Sequence, residues 1–274
     1  MQSRMAVAAS ASALALTVTA TGCSEEQDYG LGERVRIGIK FDQPGLGLER
    51  TDGSFTGFDV DVARYVAREL GYDKDDIEFK ETRSADRETA LNSGDVDFVV
   101  ATYSITDARK AQVDFAGPYL LAHQDLLIRI RGDIKEVADL NGRKLCSVTG
   151  STSAQNVKKN LAPNAELTEV DSYSECLEAL KNGDVDAVTT DDAILAGYAA
   201  QDQYVNKFEI AGLRLSNENY GIGVKKGNTA LVDGINSALE KMVDDESWYR
   251  AVLDNFSPAN YNYEPAPGIG VVVK

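Results

Sequence analysis

One histidine, one tryptophan, three cysteines and six prolines are spread over 274 residues, and 28 basic side chains stand against 44 acidic ones. Each scarcity removes a class of function. A lone His123 and the absence of any Cys-x-x-Cys pair leave no ligand set for a transition metal, which draws on several imidazoles or thiolates. No metal site and no cofactor are expected. With one imidazole in the chain, acid–base catalysis would fall to carboxylates alone. The formal charge of −16 excludes general nucleic-acid binding and argues against an anionic membrane surface as partner. The small-residue loop at 148–153 lacks the lysine and spacing of a phosphate-binding P-loop, so no nucleotide site is read there. The apolar stretch from Met5 to Ala20 is too short to span a bilayer.

What the chain does contain is one unit twice. Ala90-Leu-Asn-Ser-Gly-Asp-Val-Asp97 returns as Ala179-Leu-Lys-Asn-Gly-Asp-Val-Asp186, 89 positions on. A helix-like stretch precedes each copy, and an apolar run follows it. The glycine at the fifth place can take the left-handed conformation that ends a helix, which a Cβ would penalise. The chain then turns through two acids into a buried strand. Two copies predict two similar α/β lobes with a cleft between them, where a small ligand binds. A common helix-to-strand turn can also recur by chance. Polar residues beyond each copy favour a true repeat: Thr102, Ser104 and Thr106 after the first, Thr189, Thr190 and Asp191 after the second.

Residues 1–22 have the layout of a secretory signal: Arg4, the uncharged small and apolar run, then Ala20-Thr21-Gly22-Cys23. The residues before Cys23 resemble the bacterial lipobox, whose cysteine is acylated and becomes the mature N-terminus. A diacylated Cys23 would supply the two chains that stable anchoring needs; cleavage elsewhere, leaving Cys23 a free thiol, is the alternative. Residues 23–33 read as a flexible tether. The leader carries only the charge of Arg4, so the mature chain stands at −17. Its length of about 250 residues suits two lobes of ordinary size. Setting Cys23 aside leaves Cys146 and Cys176, an even pair for an oxidising compartment. Their disulfide would stabilise the second lobe by roughly 3–4 kcal/mol on a chain-entropy argument; two buried free thiols are the alternative.

Along the chain, Val35–Ile39 alternates as a half-buried strand does, and Val62, Val66 and Leu70 recur at helical spacing until Gly71. A strand at Ile77–Phe79, a helix from Arg87 to Asn92 and a strand over Phe98–Thr102 follow. Ile105 to Gly117 reads as a loop with a short helix. The second unit reads as strands at Leu126–Ile130, Lys144–Val148 and Ala165–Val170, with helices from Ser151, over Glu175–Lys181 and over Ile194–Ala200. Tyr220–Val224 is a strand, and Leu231–Met242 and Ser247–Phe256 are amphipathic helices. The Pro/Asn/Tyr/Gly-rich stretch 259–274 reads as a flexible tail. Crossovers are expected at Tyr119–Gln124 and near Leu215–Tyr220. They would give a discontinuous first lobe (34–120 plus 217–258), a second lobe at 121–216, and two joining strands that permit hinge closure.

Thr102-Tyr-Ser-Ile-Thr-Asp-Ala-Arg109 places hydroxyls at alternating positions beyond a strand, where ligands of open α/β sheets sit. An arginine there can grip a carboxylate with two parallel hydrogen bonds, as lysine cannot. Standing alone, Arg109 would be read as a surface residue paired with Asp107 or Asp114. Val148-Thr-Gly-Ser-Thr-Ser153 sets small residues between a strand and a helix, exposing backbone N–H groups to an anion. Asp191 can accept from an ammonium, while Asp192 can serve as N-cap to the following helix. Asp59 and Asp61 read as helix-start acids.

Five segments together carry a resemblance: Gly57-Phe-Asp-Val-Asp61, Ser104-Ile-Thr-Asp-Ala-Arg-Lys110, Asp114-Phe-Ala-Gly-Pro-Tyr119, Val148-Thr-Gly-Ser-Thr152 and Asp191-Asp-Ala-Ile-Leu-Ala-Gly197. From about Arg34 to Phe256 the chain resembles the extracellular solute-binding proteins, family 3, that feed polar amino acids to ABC importers, and their glutamate/aspartate-like branch. The resemblance implies an α/β, two-lobed, periplasmic-binding-protein-like (type II) fold, its lobes joined by two hinge strands with the ligand cleft between. It implies a monomeric lipoprotein on the extracellular face of the cell membrane that delivers its ligand to an ABC permease. The ligand would be an amino acid, glutamate first, with aspartate and glutamine as alternatives.

Position by position, the resemblance implies that Arg109 binds the ligand α-carboxylate with Ser104 assisting. Asp191 and the backbone or hydroxyl of Thr102 would hold the α-ammonium. Arg87, with Ser84 nearby, would meet a distal carboxylate; as a helix-surface residue it would instead pair with Asp86 or Glu88. Thr149 and Thr152 would close over the ligand from the second lobe. Tyr173 stands where some relatives have a histidine, and Lys40 or Phe41 would line the first lobe's wall. Two departures stand out: the second-lobe loop has its glycine one position earlier than the common Ser-Gly-Thr, and the Lys40–Phe41 loop aligns poorly. A sensory ectodomain acting with a separate receptor is an alternative function. A dehydratase of cyclic acids on the same fold is another, since fold does not fix function. It would need a positioned carboxylate, because His123 falls in the expected hinge.

Overall fold

The computed structural model describes residues 27–274; the leader, Cys23 and the first residues of the expected tether lie outside them. The chain begins with β1 (Val35–Ile39), the short strands β2 (Asp42–Gln43), β3 (Gly47–Glu49) and β4 (Phe55–Thr56), and α1 (Phe58–Glu69). Next come β5 (Ile77–Glu81), α2 (Arg87–Ser93), β6 (Phe98–Val99), α3 (Asp107–Lys110) and the long β7 (Val113–Arg129). The middle of the chain is β8 (Lys144–Val148), α4 (Thr152–Asn156), β9 (Glu166–Val170), α5 (Tyr173–Asn182), β10 (Ala187–Asp191) and α6 (Asp192–Ala199). It closes with β11 (Phe208–Ile210), β12 (Ser216–Lys225), α7 (Thr229–Asp244) and α8 (Ser247–Phe256).

β7 is the spine. Its 17 residues pair antiparallel with β12 between Val113 and Gln124, and with β10 from Gln124 to Ile128. The sheet order β5-β1-β6-β12-β7-β10-β8-β9 therefore divides into two halves around one shared strand. Parallel β5, β1 and β6 lie on one side, and parallel β10, β8 and β9 on the other. The architecture is the two-lobed α/β fold expected from the sequence, with β7 and β12 joining the lobes. The two expected crossovers are one feature: Leu120–Gln124 is paired residue by residue with Ser216–Tyr220. Residues 113–117, expected outside a strand, open β7. Pro118 has no N–H to give a ladder, and the register with β12 shifts where it sits, between Tyr220 and Ile222.

The two octapeptides build two equal corners. α2 and α5 stop at Gly94 (φ 80°, ψ 22°) and Gly183 (φ 84°, ψ 13°), both left-handed. In each copy the following N–H closes on a carbonyl five residues back, Asp95 on Ala90 and Asp184 on Ala179. The last acid of each copy then accepts an N–H from the start of the neighbouring strand: Arg36 to Asp97 at 2.7 Å, Lys144 to Asp186 at 3.0 Å. α1 buries Phe58, Val62 and Val66 in a core shared with Ile37, Ile39, Trp248 and Phe256. Cys146 and Cys176 form a disulfide between β8 and α5, Cα–Cα 5.5 Å.

Both terminal segments depart from the freedom their composition suggests. Tyr29 and Leu31 pack on the core, Asn228 donates to the Tyr29 carbonyl, and the Tyr72 hydroxyl donates to that of Gly32. The described part of the tether is thus docked. Residues 259–274 form no strand or long helix, yet they are not a free tail. Tyr261 and Tyr263 pack edge-on against Phe256 and Trp248. The Tyr261 hydroxyl donates to Asp192 at 2.8 Å, Gly270 N–H to the Gly117 carbonyl at 2.9 Å, and Val273 exchanges two bonds with the Asn219 side chain. The segment runs along the hinge and is held by side chains and one backbone bond rather than by a strand ladder, which is why no periodic pattern marks it.

Candidate functional site

The cleft walls are strand ends and the helix starts beside them. A small cavity lies between the lobes. Ser84, Arg87, Thr102, Ser104 and Arg109 line it from the side of β6 and α2. Ser151, Thr152, Ser153, Tyr173, Thr190, Asp191 and Ile194 line it from the side of β10, α4 and α5. The polar residues that trail each octapeptide therefore face one another across the cavity. The exceptions are Thr106, which caps α3 by accepting from Arg109 N–H at 3.2 Å, and Thr189, whose hydroxyl accepts from Gln124 behind the wall.

Arg109 points inward. Its guanidinium donates to the Ser104 carbonyl at 2.8 Å and to the Gly150 carbonyl of the opposite lobe at 3.0 Å, with Glu88 at 3.7 Å from Nε. Asp107 and Asp114, the surface partners considered for it, are taken by Lys110 and Lys226. Arg87 is also turned inside, 2 % exposed. It donates to the carbonyls of Ala101 (3.0 Å) and Thr102 (3.2 Å), so its partners are neither Asp86 nor Glu88. Its buried Nε has no partner among the described residues. Both guanidinium groups sit over the Tyr103 ring, at 4.2 and 5.1 Å from its centre. Burial, and then Arg109, lower the Arg87 pKa to about 10, which leaves it a cation at neutral pH.

On the other wall Asp191 ends β10 and is itself the N-cap residue of α6, so Asp192 is the first helical residue rather than the cap. Asp191 accepts from the Tyr220 hydroxyl (2.5 Å) and the Ser153 hydroxyl (3.4 Å). Burial and the neighbouring Glu218 carboxylate push its pKa well above the ordinary carboxylate range. Glu218 accepts from Thr152 Oγ1 at 3.0 Å. Tyr173 opens α5 and burial raises its hydroxyl to about 12.

Three of the expected contacts are not in the cavity lining. Thr149 is exposed: its N–H continues the β8–β9 ladder to the Val170 carbonyl, and the chain turns only at Gly150 (φ +79°). Ser151 and Ser153 face the cavity in its stead. Lys40 and Phe41 line an adjoining space that shares Tyr173 with the cavity. Lys40 reaches the site indirectly, donating to Ser84 Oγ at 2.9 Å, and burial, then Arg87, lower its pKa well below the usual lysine value. Phe41 packs on Phe55, ring centres 4.7 Å apart. The sequence reading missed Ser151, Ser153, Thr190 and Ile194 as lining residues. The first three belong to polar runs already singled out; Ile194 gave no signal beyond core-like helical spacing.

The lobes are in contact around the cavity. The Tyr198 hydroxyl, on α6, donates to the Asp42 carbonyl at 2.7 Å, and Ser174 donates to its carboxylate at 3.3 Å. A Cβ at Gly197 would lie 1.9 Å from the Pro44 carbonyl oxygen, and one at Gly150 2.8 Å from Ala85 Cα, so both approaches require glycine. Among the described residues, no group of three His, Cys, Asp or Glu could hold a metal ion, and no helix is long and apolar enough to cross a membrane.

The chain is 50% identical over 230 residues to the glutamate-binding protein GluB of Corynebacterium efficiens, covering 81% of this chain and 78% of that one. It is 40% identical over 215 residues to the ABC transporter glutamine-binding protein GlnH of Bacillus subtilis, covering 78% and 77%. Among solved structures, an ancestral arginine-binding protein bound to glutamine superposes with a TM-score of 0.76 at 38% identity, over 82% of this chain and 99% of that one. Residues 35–257 match the family described as bacterial extracellular solute-binding proteins, family 3, and the chain belongs to that family.

Proposed function

We propose that the protein captures an acidic amino acid, glutamate first, and delivers it to an ABC permease as the binding component of an importer. The observation that carries this reading is the charge of the cavity lining: two guanidinium groups, Arg87 and Arg109, against one carboxylate, Asp191. An α-amino acid with a neutral side chain brings one carboxylate and one ammonium. Arg109 already has Glu88 3.7 Å from its Nε, so the cation left without a carboxylate is Arg87, which donates only to backbone carbonyls. A second carboxylate on the ligand completes the pairing, and in a desolvated cleft an unmatched charge costs several kcal/mol. In this reading Arg109 and Ser104 take the α-carboxylate. Asp191 and Thr102 take the ammonium, and Arg87 with Ser84 takes the distal carboxylate. Thr152 and Tyr173 close the far wall. The names of the two relatives, glutamate-binding and glutamine-binding, support a ligand of this size and leave the terminal group to be decided by Arg87.

Export and anchoring follow from the sequence: a signal at 1–22 and acylation of Cys23 would hold a monomer on the outer face of the cell membrane, beside its permease. The test is thermal melting of the ligand-stripped protein against a panel of amino acids. Glutamate and aspartate at a hundredfold excess over Kd should stabilise the protein by about 2.7 kcal/mol. Stabilisation by basic or apolar amino acids alone would overturn the reading.

A further inference from the structure

The first helix carries a buried acid that touches the cavity nowhere. Asp59 lies in the first turn of α1 and is 0 % exposed. An acid that only begins a helix faces solvent or caps its own N–H groups. Asp59 instead reaches a strand end 43 residues away, its Oδ2 accepting the Thr102 N–H at 2.9 Å, while Oδ1 accepts the Tyr119 hydroxyl at 2.8 Å. Burial raises its carboxyl to about 7, against the pull of those two bonds and of Lys40 and Arg87.

Thr102 needs holding. Its φ is +45°, a left-handed conformation that is an outlier for a β-branched residue and persists only where the surroundings over-determine it. The peptide group between Ala101 and Thr102 is gripped at both ends: its N–H by Asp59, its carbonyl by Arg87 at 3.0 Å. Arg87 also takes the next carbonyl, and the Thr102 hydroxyl donates to Gln43 at 3.2 Å. The twist of this turn thus decides where Thr102 faces and where the Arg87 guanidinium rests.

We propose that Asp59 is a positioning residue for the binding site: from beneath the cleft it fixes the left-handed turn at Thr102, and through that turn it seats both Thr102 and Arg87 for the ligand. The proposal rests on the reading of those two residues as ligand contacts.

Calorimetric titration of glutamate and of glutamine into wild type, Asp59→Ala, Asp59→Asn, Thr102→Gly and Asp59→Ala/Thr102→Gly tests it. Asp59→Ala should weaken binding by about tenfold or more, because the Thr102 N–H loses its acceptor among the described residues and the strained turn relaxes. Asp59→Asn keeps an oxygen for that N–H and should retain most of the affinity. In the Thr102→Gly background the left-handed turn is free of the Cβ penalty, so removing Asp59 should cost less than about threefold. An equal loss in both backgrounds, or no loss with Asp59→Ala, would overturn the proposal and leave Asp59 a plain core residue. If Asp59→Ala does not fold, Asp59→Leu/Tyr119→Phe replaces both bonded groups by apolar ones of similar shape and carries the same expectation. A wild type that binds neither amino acid would overturn the functional reading together with this one; a wild type that binds, with no coupling between the two positions, would overturn this one alone.

Discussion

Arg109 of one lobe donates to the carbonyl of Gly150 in the other, 3.0 Å across the cleft. The bond joins the residue read as the carboxylate grip to the loop that would cover the ligand, and it belongs to a ring of contacts with Tyr198–Asp42 and Arg83–Asp171. All of them break if the lobes part about β7 and β12. In solution the ligand-free protein should open and the ligand should close it, since closure lets one amino acid bridge Arg109 and Asp191. Small-angle scattering should give a smaller radius of gyration with glutamate than without. Unchanged scattering curves at saturating ligand would contradict closure.

The anchor roles predict unequal mutants. Arg109→Ala should abolish binding of every α-amino acid, because it removes the shared carboxylate contact and leaves Asp191 in a site with less positive charge. Asp191→Asn should weaken binding by up to about 3–5 kcal/mol, as loss of one partner of a buried charge pair does. Glutamate affinity near wild type for Arg109→Ala would show that Arg109 has been given the wrong task.

How much of this was legible beforehand varied with the kind of interaction. The lobes were readable because each octapeptide carries its own helix stop locally: a left-handed glycine, and the next N–H closing on the carbonyl five residues back. Arg109 and Asp191 stood in motifs whose residue types fit only a few roles, whereas Arg87 stood in none of them and was named through the resemblance alone. Thr149 lies outside the cavity lining because its N–H is held in the β8–β9 ladder and the chain turns only at Gly150, so that Ser151 and Ser153 face the cavity. Asp59 looked like any helix-start acid, since its partner Thr102 is distant in sequence. The tail gave no pattern at all, because its bonds run to Asn219, Asp192 and Gly117 rather than to a paired strand.

The Cys146–Cys176 bond concerns stability rather than recognition. It ties β8 to α5 in the lobe that carries Asp191, with a sequence separation of 30. Cys176→Ser should cost about 2–5 kcal/mol of stability and leave the order of ligand preference unchanged. Alkylation of the native, unreduced protein should modify neither cysteine; two reactive thiols would contradict the bond.

Removing residues 261–274 should lower the melting temperature, because Tyr261, Glu264 and Val273 each bond a hinge element or its neighbour: Asp192, Arg214 and Asn219. For a chain of this size each kcal/mol lost appears as about 2–4 °C. Differential scanning calorimetry of the shortened and full proteins reads it directly. Equal melting temperatures would mean that the segment contributes nothing to the fold.

The central claim is that the cleft selects a ligand with two carboxylates through Arg87. Isothermal titration of glutamate and glutamine into ligand-stripped wild type and Arg87→Gln tests it most directly. Wild type should prefer glutamate. Arg87→Gln should lose roughly 2–5 kcal/mol of glutamate affinity, the usual cost of removing one partner of a buried charge pair, while glutamine binding holds level or improves. A wild type that prefers glutamine, or an Arg87→Gln protein with unaltered preference, would contradict the account and leave Lys40, bonded to Ser84 at the cavity wall, as the next cation to test.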